Sequence, residues 1–323
     1  MRILVTGVTG RIGSNLAAAL VQEGHQVRGL VWPRDPRTEK LRPLGLELLE
    51  GTITSPEDCK RSVDGVDAVY HLAAAFQGGG PFTVEEYFDI NVRGTFNMLE
   101  AVRPIANLKH FVVASTDAVL AKYPPGGMKG PVTESTAKTL TGWYGLSKAM
   151  VEEMVIGYFR TYKTPTTVLR FPYTVGPGEF LKFGSFYLSS YKARPEAAHL
   201  WDGKEKLLII SDENGRPWKK HMASVPDIIH GCMCVLGKTA AAGELFQIGA
   251  PSAFSWDDIV PYISKRIEMP YVSASIKTTP TYYEFDLTKA RTILGFKPQH
   301  DARRMIDEDI AYNKGQSIGV IPV

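Results

Sequence analysis

The sequence predicts an α/β protein built on a doubly wound parallel sheet, and three observations support this fold class. Short apolar runs alternate with amphipathic helical patterns through the first half of the chain. Their spacing leaves room for a helix after each strand, which is typical of a parallel sheet with helices on both faces. The first run leads into a glycine-rich segment at residues 7–13, as the first strand of such a sheet often does.

The hydrophobic period gives the elements of the first half in order. Short runs of branched apolar residues predict strands at Ile3–Thr6, Val27–Val31, Leu46–Leu49, Ala68–Leu72, Phe111–Ser115 and Thr166–Arg170. Apolar residues at helical spacing predict helices at Ile12–Gln22, Val84–Val102 and Tyr144–Tyr162. Because such sheets bind ligands beyond the carboxyl ends of their strands, the candidate site is expected at that edge.

The glycine-rich segment predicts dinucleotide binding. Gly7, Gly10 and Gly13 follow a predicted strand and precede a predicted helix. Without side chains, the backbone there can turn tightly and approach a pyrophosphate, which the N–H groups and positive dipole of the following helix stabilise. An ordinary glycine-rich turn is the alternative, and the strand–loop–helix context favours the cofactor.

The end of the second predicted strand bears on the choice between NAD and NADP. An acidic residue there binds the ribose 2′-hydroxyl and repels a 2′-phosphate, whereas this chain has Val31. Arg34 is the best candidate to pair with a 2′-phosphate, and Arg11 and Arg28 are nearby cations. NADP is therefore favoured over NAD. The alternative is that the arginines are solvated and that Asp35 binds the ribose.

Tyr144 and Lys148 form the candidate acid–base pair. They stand four residues apart, so they share one face of a helix. A free tyrosine has a pKa of about 10, and a nearby ammonium group favours its phenolate form. Tyr144 is therefore expected to exchange a hydroxyl proton while a nicotinamide exchanges the hydride. A surface pair without function is the alternative, which the glycine loop in the same chain disfavours.

Further polar residues are predicted near the site. Ser115, Thr116 and Asp117 follow the fifth strand, where a hydroxyl can hydrogen-bond a reacting oxygen, although Ser and Thr also cap turns. Asn91 lies in the middle of a predicted helix, where a hydrogen-bonded core amide is the alternative role. The glycines at 78–80 predict a loop near the site or a surface turn.

Composition narrows the class of protein. The chain of 323 residues has a net charge of +3 without a basic block, which argues against nucleic acid and anionic membranes as partners. No apolar run is long enough to span a membrane, and the first strand leaves no room for a signal peptide. Three cysteines without zinc spacing predict no disulfide framework and no metal site. A cytoplasmic protein is expected.

The strand–helix alternation ends after Phe171, near a turn cluster at Gly176–Gly178. Residues 1–172 are therefore predicted to form a dinucleotide-binding domain. Residues 173–323 are predicted to form mostly a smaller substrate lobe, with segments near 218–250 returning to the sheet. The later elements are predicted as strands at Leu207–Ile210 and Leu245–Ile248 and short helices at Trp256–Ile267 and Leu287–Ile293.

With these motifs the chain resembles the extended short-chain dehydrogenase/reductase family, which includes the nucleotide-sugar epimerases and dehydratases. The resemblance covers most of the chain. It rests on the ordered segments Thr6–Gly13, His71–Ala74, Asn91–Thr95, Ala114–Thr116, Tyr144 with Lys148, Leu169–Arg170, Gly176–Gly178, Phe246–Gly249 and Asp286–Ala290.

The resemblance implies a Rossmann fold and roles for individual residues. Thr116 matches the catalytic Ser/Thr, Tyr144 the proton donor and acceptor, and Lys148 the partner that lowers the pKa of the tyrosine and binds the ribose. The helices around Asn91 and Tyr144 would form the family's four-helix dimer interface. With the arguments above, the predicted cofactor contacts are Gly7, Thr9, Gly10, Arg11, Ile12, Gly13, Arg34, Thr52, Ile53, Leu72, Ala73, Ala74, Asn91, Ser115, Tyr144, Lys148, Phe171 and Tyr173.

Departures from the family pattern bear on the substrate. Tyr173 replaces an Asn that contacts the diphosphate in sugar-nucleotide enzymes, which argues against a UDP-sugar. Lys220 aligns with the family's phosphate-binding Arg. Asp117 follows Thr116 as in sugar 4,6-dehydratases, but Ala118 replaces the Glu of those enzymes, so dehydration is disfavoured. The predicted substrate contacts are Phe76, Asp117, Tyr173 and Lys220.

The predicted function is that of an NAD(P)-dependent oxidoreductase or epimerase that transfers a hydride at a hydroxyl or ketone carbon of a sugar or sugar-like substrate. A carbonyl reductase or dehydrogenase acting on a small non-nucleotide substrate is the alternative. A non-catalytic NADP-sensing protein is less favoured, because Tyr144, Lys148 and Thr116 are all present. The expected assembly is a homodimer.

Overall fold

The strands and helices alternate through the first half of the computed structural model, which describes residues 1–76, 80 and 82–322. The predicted glycine loop at 78–80 therefore lies mainly outside the described residues. The strands are β1 (Arg2–Thr6), β2 (Gln26–Val31), β3 (Glu47–Glu50), β4 (Ala68–His71), β5 (His110–Thr116), β6 (Thr166–Phe171), β7 (Tyr173–Val175), β8 (Leu207–Ser211), β9 (Lys219–Lys220), β10 (Met222–Ser224), β11 (Glu244–Gln247), β12 (Phe254–Ser255) and β13 (Tyr271–Ser275).

The helices cover the sheet and build the second lobe. The α-helices are α1 (Arg11–Gln22), α2 (Pro56–Ser62), α3 (Val84–Glu86), α4 (Gly94–Val102), α5 (Trp143–Tyr162), α6 (Pro195–Ala198), α7 (Val225–Val235), α8 (Trp256–Ile267) and α9 (Ala302–Asn313). Short 3₁₀ segments lie at Pro36–Leu44, Asp117–Val119, Gly184–Phe186, Leu188–Ser190 and Thr239–Ala241, and π-helical segments at Tyr87–Arg93 and Ala290–Leu294.

The main sheet has seven parallel strands in the order β11-β6-β5-β4-β1-β2-β3. The chain moves outwards in one direction from β1 to β3 and then crosses over to β4, so β1 and β4 are neighbours. A crevice opens beyond the carboxyl ends of these two strands, at the switch point where such sheets bind ligands. The predicted doubly wound fold is confirmed.

The predicted strands of the first half are all present, with ends that differ by no more than one residue. The helix predicted over Val84–Val102 is interrupted by the π-helical segment Tyr87–Arg93, which contains Asn91. The buried amide of Asn91 hydrogen-bonds to the segment after β4 at this point, and a widened turn is a common feature where a helix meets a functional site. The helix predicted at Leu287–Ile293 begins later, at Ala290.

Three apolar clusters stabilise the molecule. Successive residues of β1 point to opposite faces of the sheet, so Val5 packs with α1 and α7 while Leu4 packs with α4 and α5. The third cluster fills the C-terminal lobe around Phe186 and Trp256. Strand β11 pairs with β6, so the chain returns to the main sheet after β10. The domain boundary at 172/173 stays a prediction.

Residues 1–76, 80 and 82–322 contain neither a membrane-spanning helix nor a metal-binding cluster. No helix there is long and apolar enough to cross a membrane. No cluster of His, Cys, Asp and Glu side chains there is arranged to hold a metal ion.

His300 connects the segment before α9 to α7. Its Nδ1 donates to Asp227 Oδ1 at 3.0 Å, and its Nε2 lies 3.4 Å from Glu308 Oε1. Burial by itself would lower the pKa of His300, but the hydrogen bonds with Asp227 and Glu308 outweigh burial and raise the pKa to about 9. The protonated imidazole therefore stabilises the contact between α7 and α9.

We expect His300→Gln to destabilise the protein in a pH-dependent manner. The folded pKa lies above the ordinary value of about 6.5. The contribution of His300 is therefore complete below about pH 6.5 and is lost as the pH rises through about 9. Thermal unfolding followed by circular dichroism should show a lower Tm for the variant at about pH 6, and a difference that shrinks by about pH 10. An equal difference at both pH values would contradict this role.

Candidate active site

The glycine loop joins β1 to α1 at the crevice. Gly7 has φ +68, and a Cβ there would lie 2.8 Å from the backbone N of Ala73. A Cβ on Gly13 would lie 2.1 Å from the carbonyl oxygen of Gly7. Helix α1 begins after Gly10 without a side-chain cap and without an acidic residue in its first turn. Its free N–H groups and positive dipole therefore fit a pyrophosphate.

The segment after β4 forms the other wall of the crevice. Thr6 Oγ1 is hydrogen-bonded to His71 Nδ1 at 2.8 Å and accepts from the backbone N–H of Ala73 at 3.2 Å. The N–H of Leu72 donates to the carbonyl of Thr6 at 3.3 Å. These bonds hold Leu72, Ala73 and Ala74 beside the glycine loop, at the position predicted for cofactor contacts.

Asn91 holds this wall against α5. Its Oδ1 accepts from Ala75 N at 2.8 Å, and its Nδ2 donates to Ala75 O and Ser147 Oγ, both at 2.9 Å. The amide is thus satisfied by the protein, which is the alternative role considered from the sequence. Direct contact with a cofactor stays a prediction.

Asp35 and Thr9 lie together beside the glycine loop. Thr9 Oγ1 donates to Asp35 Oδ2 at 2.9 Å, and the guanidinium of Arg37 binds both carboxylate oxygens. The hydrogen bond from Arg37 is the main reason that the pKa of Asp35 is lowered to about 2. Asp35 is therefore an anion at neutral pH, placed next to the glycine loop.

The arginines predicted near a 2′-phosphate differ in position. Arg28 is buried, donates to the carbonyls of Ser62 and Asp64 at 2.8 Å, and pairs with Glu47. The prediction that Arg28 is a cation near the cofactor is wrong, because these contacts hold its guanidinium against the end of α2. Arg34 lies in a turn with φ 58, just after β2.

Arg11 connects the glycine loop to the second lobe. Its guanidinium donates to the carbonyl of Thr174 at 2.8 Å and pairs with Glu179 at 2.5 Å. Glu179 also accepts from Gly176 N at 2.6 Å. The side chain of Arg11 is thus engaged by the protein, and its predicted cofactor contact is left to the backbone N–H in the first turn of α1.

The remaining predicted cofactor contacts differ in how far they are buried. Ile12, in the first turn of α1, is partly buried and packs against the core. Thr52 donates its N–H to Asp58 at 3.0 Å, and Ile53 is buried against Gly94. Phe171 is buried at the end of β6, while Tyr173 is half-exposed beyond it.

Thr116, Tyr144 and Lys148 come together where β5 meets α5. Thr116 ends β5, and Tyr144 lies in the first turn of α5, close enough for the Thr116 hydroxyl to influence the phenol. Lys148 is buried one turn later and donates to the carbonyl of Ala114 at 2.9 Å. The structure thus brings together the three residues predicted to be catalytic, and their catalytic role stays a prediction.

The ionisation of this group differs from the prediction. Burial raises the pKa of Tyr144 to about 12, which outweighs the lowering by the nearby Thr116 hydroxyl. Burial also lowers the pKa of Lys148 to about 8, opposed by the charge of Glu152. For the protein side chains without a cofactor, the prediction that Lys148 lowers the pKa of Tyr144 is wrong, because desolvation of the phenol has the larger effect on that pKa.

Glu152 was missed by the sequence analysis. It lies one turn beyond Lys148 on the same face of α5, and this spacing was the available signal. Its buried carboxylate accepts from Arg170 Nε at 2.7 Å, Lys138 Nζ at 2.9 Å and Ser115 Oγ at 2.7 Å. The hydroxyl of Ser115 is therefore bound to Glu152 inside the core, so its predicted cofactor contact is left to the backbone.

The predicted substrate residues lie after β4, after β5, on β7 and on β9. Asp117 and Lys220 are buried near one another, and each contacts Tyr283 at 3.3 Å. Tyr173 packs against Phe183, with ring centroids 5.3 Å apart. Phe76 is exposed after β4. The sequence analysis missed Lys122, which follows Asp117 in the same segment and pairs with it, and Tyr283, which joins this group from a distant part of the chain.

Comparisons with known proteins agree with this arrangement. A protein named Uncharacterized UDP-glucose epimerase YtcB, from Bacillus subtilis (strain 168), is 28% identical over 336 residues, which cover 97% of this chain and 98% of that protein. A 3 beta-hydroxysteroid dehydrogenase/Delta 5→4-isomerase of Mycobacterium tuberculosis (strain ATCC 25618 / H37Rv) is 39% identical over 124 residues, covering 37% of this chain and 32% of that protein.

Solved structures give the same result. A short-chain dehydrogenase/reductase superfamily protein from Agrobacterium tumefaciens with bound NAD has a TM-score of 0.82 and 27% identity, covering 98% of this chain and 100% of that chain. A UDP-glucuronic acid 4-epimerase from Bacillus cereus in complex with NAD has a TM-score of 0.74 and 25% identity, covering 98% and 99%.

A family model also matches most of the chain. The model described as the NAD dependent epimerase/dehydratase family matches residues 3–249, which include the glycine loop, Thr116, Tyr144 and Lys148. The resemblance found in the sequence is confirmed. The chain belongs to the NAD dependent epimerase/dehydratase family and is an NAD(P)-dependent enzyme of the extended short-chain dehydrogenase/reductase type.

Proposed function

We propose that this enzyme transfers a hydride at a hydroxyl or ketone carbon of a sugar or sugar-like substrate, with Tyr144 as the acid–base residue. The observation that carries the proposal is that Thr116, Tyr144 and buried Lys148 lie together where α5 packs on the carboxyl end of β5. That end lies beside the crevice formed by the glycine loop, and the position matches the site of ligand binding in such sheets.

The roles of the side chains follow from their positions. The bound cofactor supplies the hydride acceptor or donor and, when oxidised, a positive charge that favours the Tyr144 phenolate. The hydroxyl of Thr116 orients the reacting oxygen, and Tyr144 removes or returns its proton. The ammonium of Lys148 is held by a hydrogen bond to Ala114 O at 2.9 Å. From this position it can bind the nicotinamide ribose and keep the groups that transfer the proton in place.

We propose an epimerase as the first reaction type and a reductase or dehydrogenase as the second. The first is supported by the Bacillus subtilis relative named as a UDP-glucose epimerase, which matches nearly the whole chain. The second is supported by the Mycobacterium tuberculosis relative named as a hydroxysteroid dehydrogenase, which matches the chain in part. Half-exposed Tyr173, in place of a diphosphate-binding Asn, also favours the second.

For the cofactor, we propose tighter binding of NAD than of NADP. Asp35 is an anion held by Thr9 and Arg37 beside the glycine loop. Its charge would repel a 2′-phosphate, whereas its oxygens can accept from a ribose 2′-hydroxyl. The cation of Arg37 is already neutralised by Asp35. In the sequence analysis, ribose binding by Asp35 was the alternative to NADP, and this proposal adopts it. Arg34 remains the residue that would favour NADP.

One experiment tests both the reaction type and the preference for NAD over NADP. The purified protein is denatured, any released nicotinamide nucleotide is identified, and the empty protein is titrated with NADH and NADPH by fluorescence. Retained NAD is expected, because an epimerase re-reduces its intermediate on the same cofactor. An empty protein that exchanges NAD would select the dehydrogenase. NADPH binding at least about tenfold tighter than NADH binding would reject Asp35 as the ribose contact and support Arg34 as the partner of a 2′-phosphate.

We also propose that the enzyme is a homodimer formed by α4 and α5. Helix α4 packs beside α5, and the exposed apolar side chains there are Phe96 on α4 (47%), Met150 on α5 (39%) and Phe88 in the π-helical segment before α4 (41%). Several exposed apolar side chains on neighbouring elements fit an interface, and the family resemblance implies a second copy. Light scattering after size exclusion should give a dimer for the wild type and for Tyr271→Asp, and a monomer for Phe96→Asp. A monomeric wild type would contradict the proposal.

A further inference from the structure

A buried group of charged and phenolic side chains lies next to Thr116. We call Asp117, Lys122, Lys220 and Tyr283 the lysine–tyrosine cluster. All four are at most 8% exposed. They come from the segment after β5, from β9 and from the segment before the last helices, so the fold has gathered them at the edge where the substrate binds.

The cluster contains two ammonium groups and one carboxylate. Lys122 forms an ion pair with Asp117, and the hydroxyl of Tyr283 donates to Asp117 Oδ2 at 3.3 Å. Lys220 Nζ donates to Tyr283 Oη at 3.3 Å. Among the described residues, no carboxylate lies within ion-pair distance of Lys220. The cluster thus holds one buried positive charge without an anionic partner, which is an unfavourable state for a protein interior.

Aromatic rings surround the ammonium of Lys220. Its Nζ lies 5.8 Å from the ring centroid of Tyr173, 5.6 Å from that of Phe183 and 5.5 Å from that of Tyr283. These rings offset part of the unpaired charge and keep water away. An anion that enters this environment is attracted more strongly than it would be in water. Tyr173 is 48% exposed, so the enclosure opens towards the cleft.

We propose that the substrate carries a carboxylate close to its reacting carbon and that Lys220, supported by Lys122 and Tyr283, binds this carboxylate. This inference rests on the proposed function. Asp117 directly follows Thr116, so the unpaired cation lies near the reacting oxygen. The substrate class is therefore an acidic sugar or a related hydroxy acid.

The position of Asp117 supports the choice of an acidic substrate. Its charge acts on Tyr144 as well as on Lys220, so all three groups lie within one electrostatic environment. Burial lowers the pKa of Lys220 to about 8, and a bound carboxylate would raise it again. Lys122 neutralises Asp117, which would otherwise repel the carboxylate of the substrate.

The test compares acidic sugars with their neutral counterparts. D-glucuronate and D-glucose, and D-galacturonate and D-galactose, are titrated by calorimetry into the protein saturated with NAD. The wild type is expected to bind each acid at least about tenfold more tightly than the neutral sugar. Lys220→Met should remove this preference, Lys220→Arg should retain it, and NAD affinity and Tm should stay unchanged in both.

Lys219→Met is the matched control. Lys219 precedes Lys220 on β9, but its ammonium pairs with Glu284 at 2.6 Å and its side chain is more exposed. The control variant should keep the preference for acids. Equal binding of acids and neutral sugars, failure of every acid to bind, or a preference that survives Lys220→Met would overturn the proposal. Dependence of UDP binding, but not uronate binding, on Lys220 would also overturn it.

Turnover is measured separately from binding. A preference for acids that depends on Lys220, without hydride transfer to any of them, would support the carboxylate site and contradict the proposed function. Hydride transfer on neutral sugars without any preference for acids would support the proposed function and contradict the carboxylate site.

Discussion

Tyr144→Phe is expected to lower kcat by about 10²–10⁴-fold, the range that general acid–base catalysis contributes. The variant keeps the ring, which lies 6.3 Å from the ring of Tyr87, and loses only the hydroxyl next to Thr116. Affinity for the nicotinamide cofactor should stay within about twofold, since the glycine loop and Lys148 are unchanged.

The measurement is the rate of substrate turnover with saturating cofactor, together with a fluorescence titration of that cofactor. Tyr162→Phe is the control, because Tyr162 lies at the end of the same helix and is exposed. Its kcat should equal that of the wild type. A Tyr144→Phe variant with undiminished kcat would show that another group moves the proton.

Glu152→Gln is expected to reduce the free energy of unfolding by about 3–5 kcal/mol, as for other buried ion pairs that lose one partner. Its carboxylate binds Arg170 through both oxygens, at 2.7 and 2.8 Å, and also binds Lys138 and Ser115. Glu152 and Arg170 are each 1% exposed. The substitution would leave the guanidinium of Arg170 buried without a counter-ion.

Glu153→Gln is the matched control for this effect. Glu153 is the next residue and also pairs with Lys138, at 2.8 Å, but its side chain is 73% exposed. Exposed pairs contribute little, so urea unfolding should show a change of at most about 1 kcal/mol for this variant. Equal losses in the two variants would contradict the assignment of Glu152 to the core network.

The pH dependence of activity offers a second readout of Glu152. Its charge raises the pKa of Lys148, which burial has lowered to about 8. Loss of that charge should lower the pKa of Lys148 further, so the ammonium would be lost at a lower pH. A variant that is less stable but has an unchanged pH profile would restrict Glu152 to a structural role.

Local sequence features were sufficient to predict much of the fold and part of the site. Apolar runs predicted the strands of the first half because parallel strands are buried on both faces. The glycines at 7, 10 and 13 marked a turn in which a Cβ would clash with the backbone. Tyr144 and Lys148 share a helix face, so their proximity followed from their spacing alone.

Most features that the sequence analysis missed depend on contacts between distant residues. Tyr283 meets Asp117 only after the second lobe has folded against the sheet. Lys122 is the exception, because it pairs with Asp117 within the same short segment. The burial of Arg28 depends on carbonyls at the end of α2. The raised pKa of Tyr144 depends on its burial, which spacing along a helix does not reveal.

Hydride transfer itself is the most direct test of the central claim. The protein saturated with NAD is incubated with sugars and sugar acids that carry deuterium on their carbinol carbons, and the cofactor and the sugars are then analysed by mass spectrometry. We predict that the wild type either transfers deuterium to the nicotinamide, as a dehydrogenase does, or returns it to the inverted carbon of an epimerised sugar, and that Tyr144→Phe does neither at a comparable rate. Bound NAD that yields neither a labelled nicotinamide nor a deuterium-retaining epimer from any of these compounds would contradict the proposed function, and so would an undiminished rate with the variant.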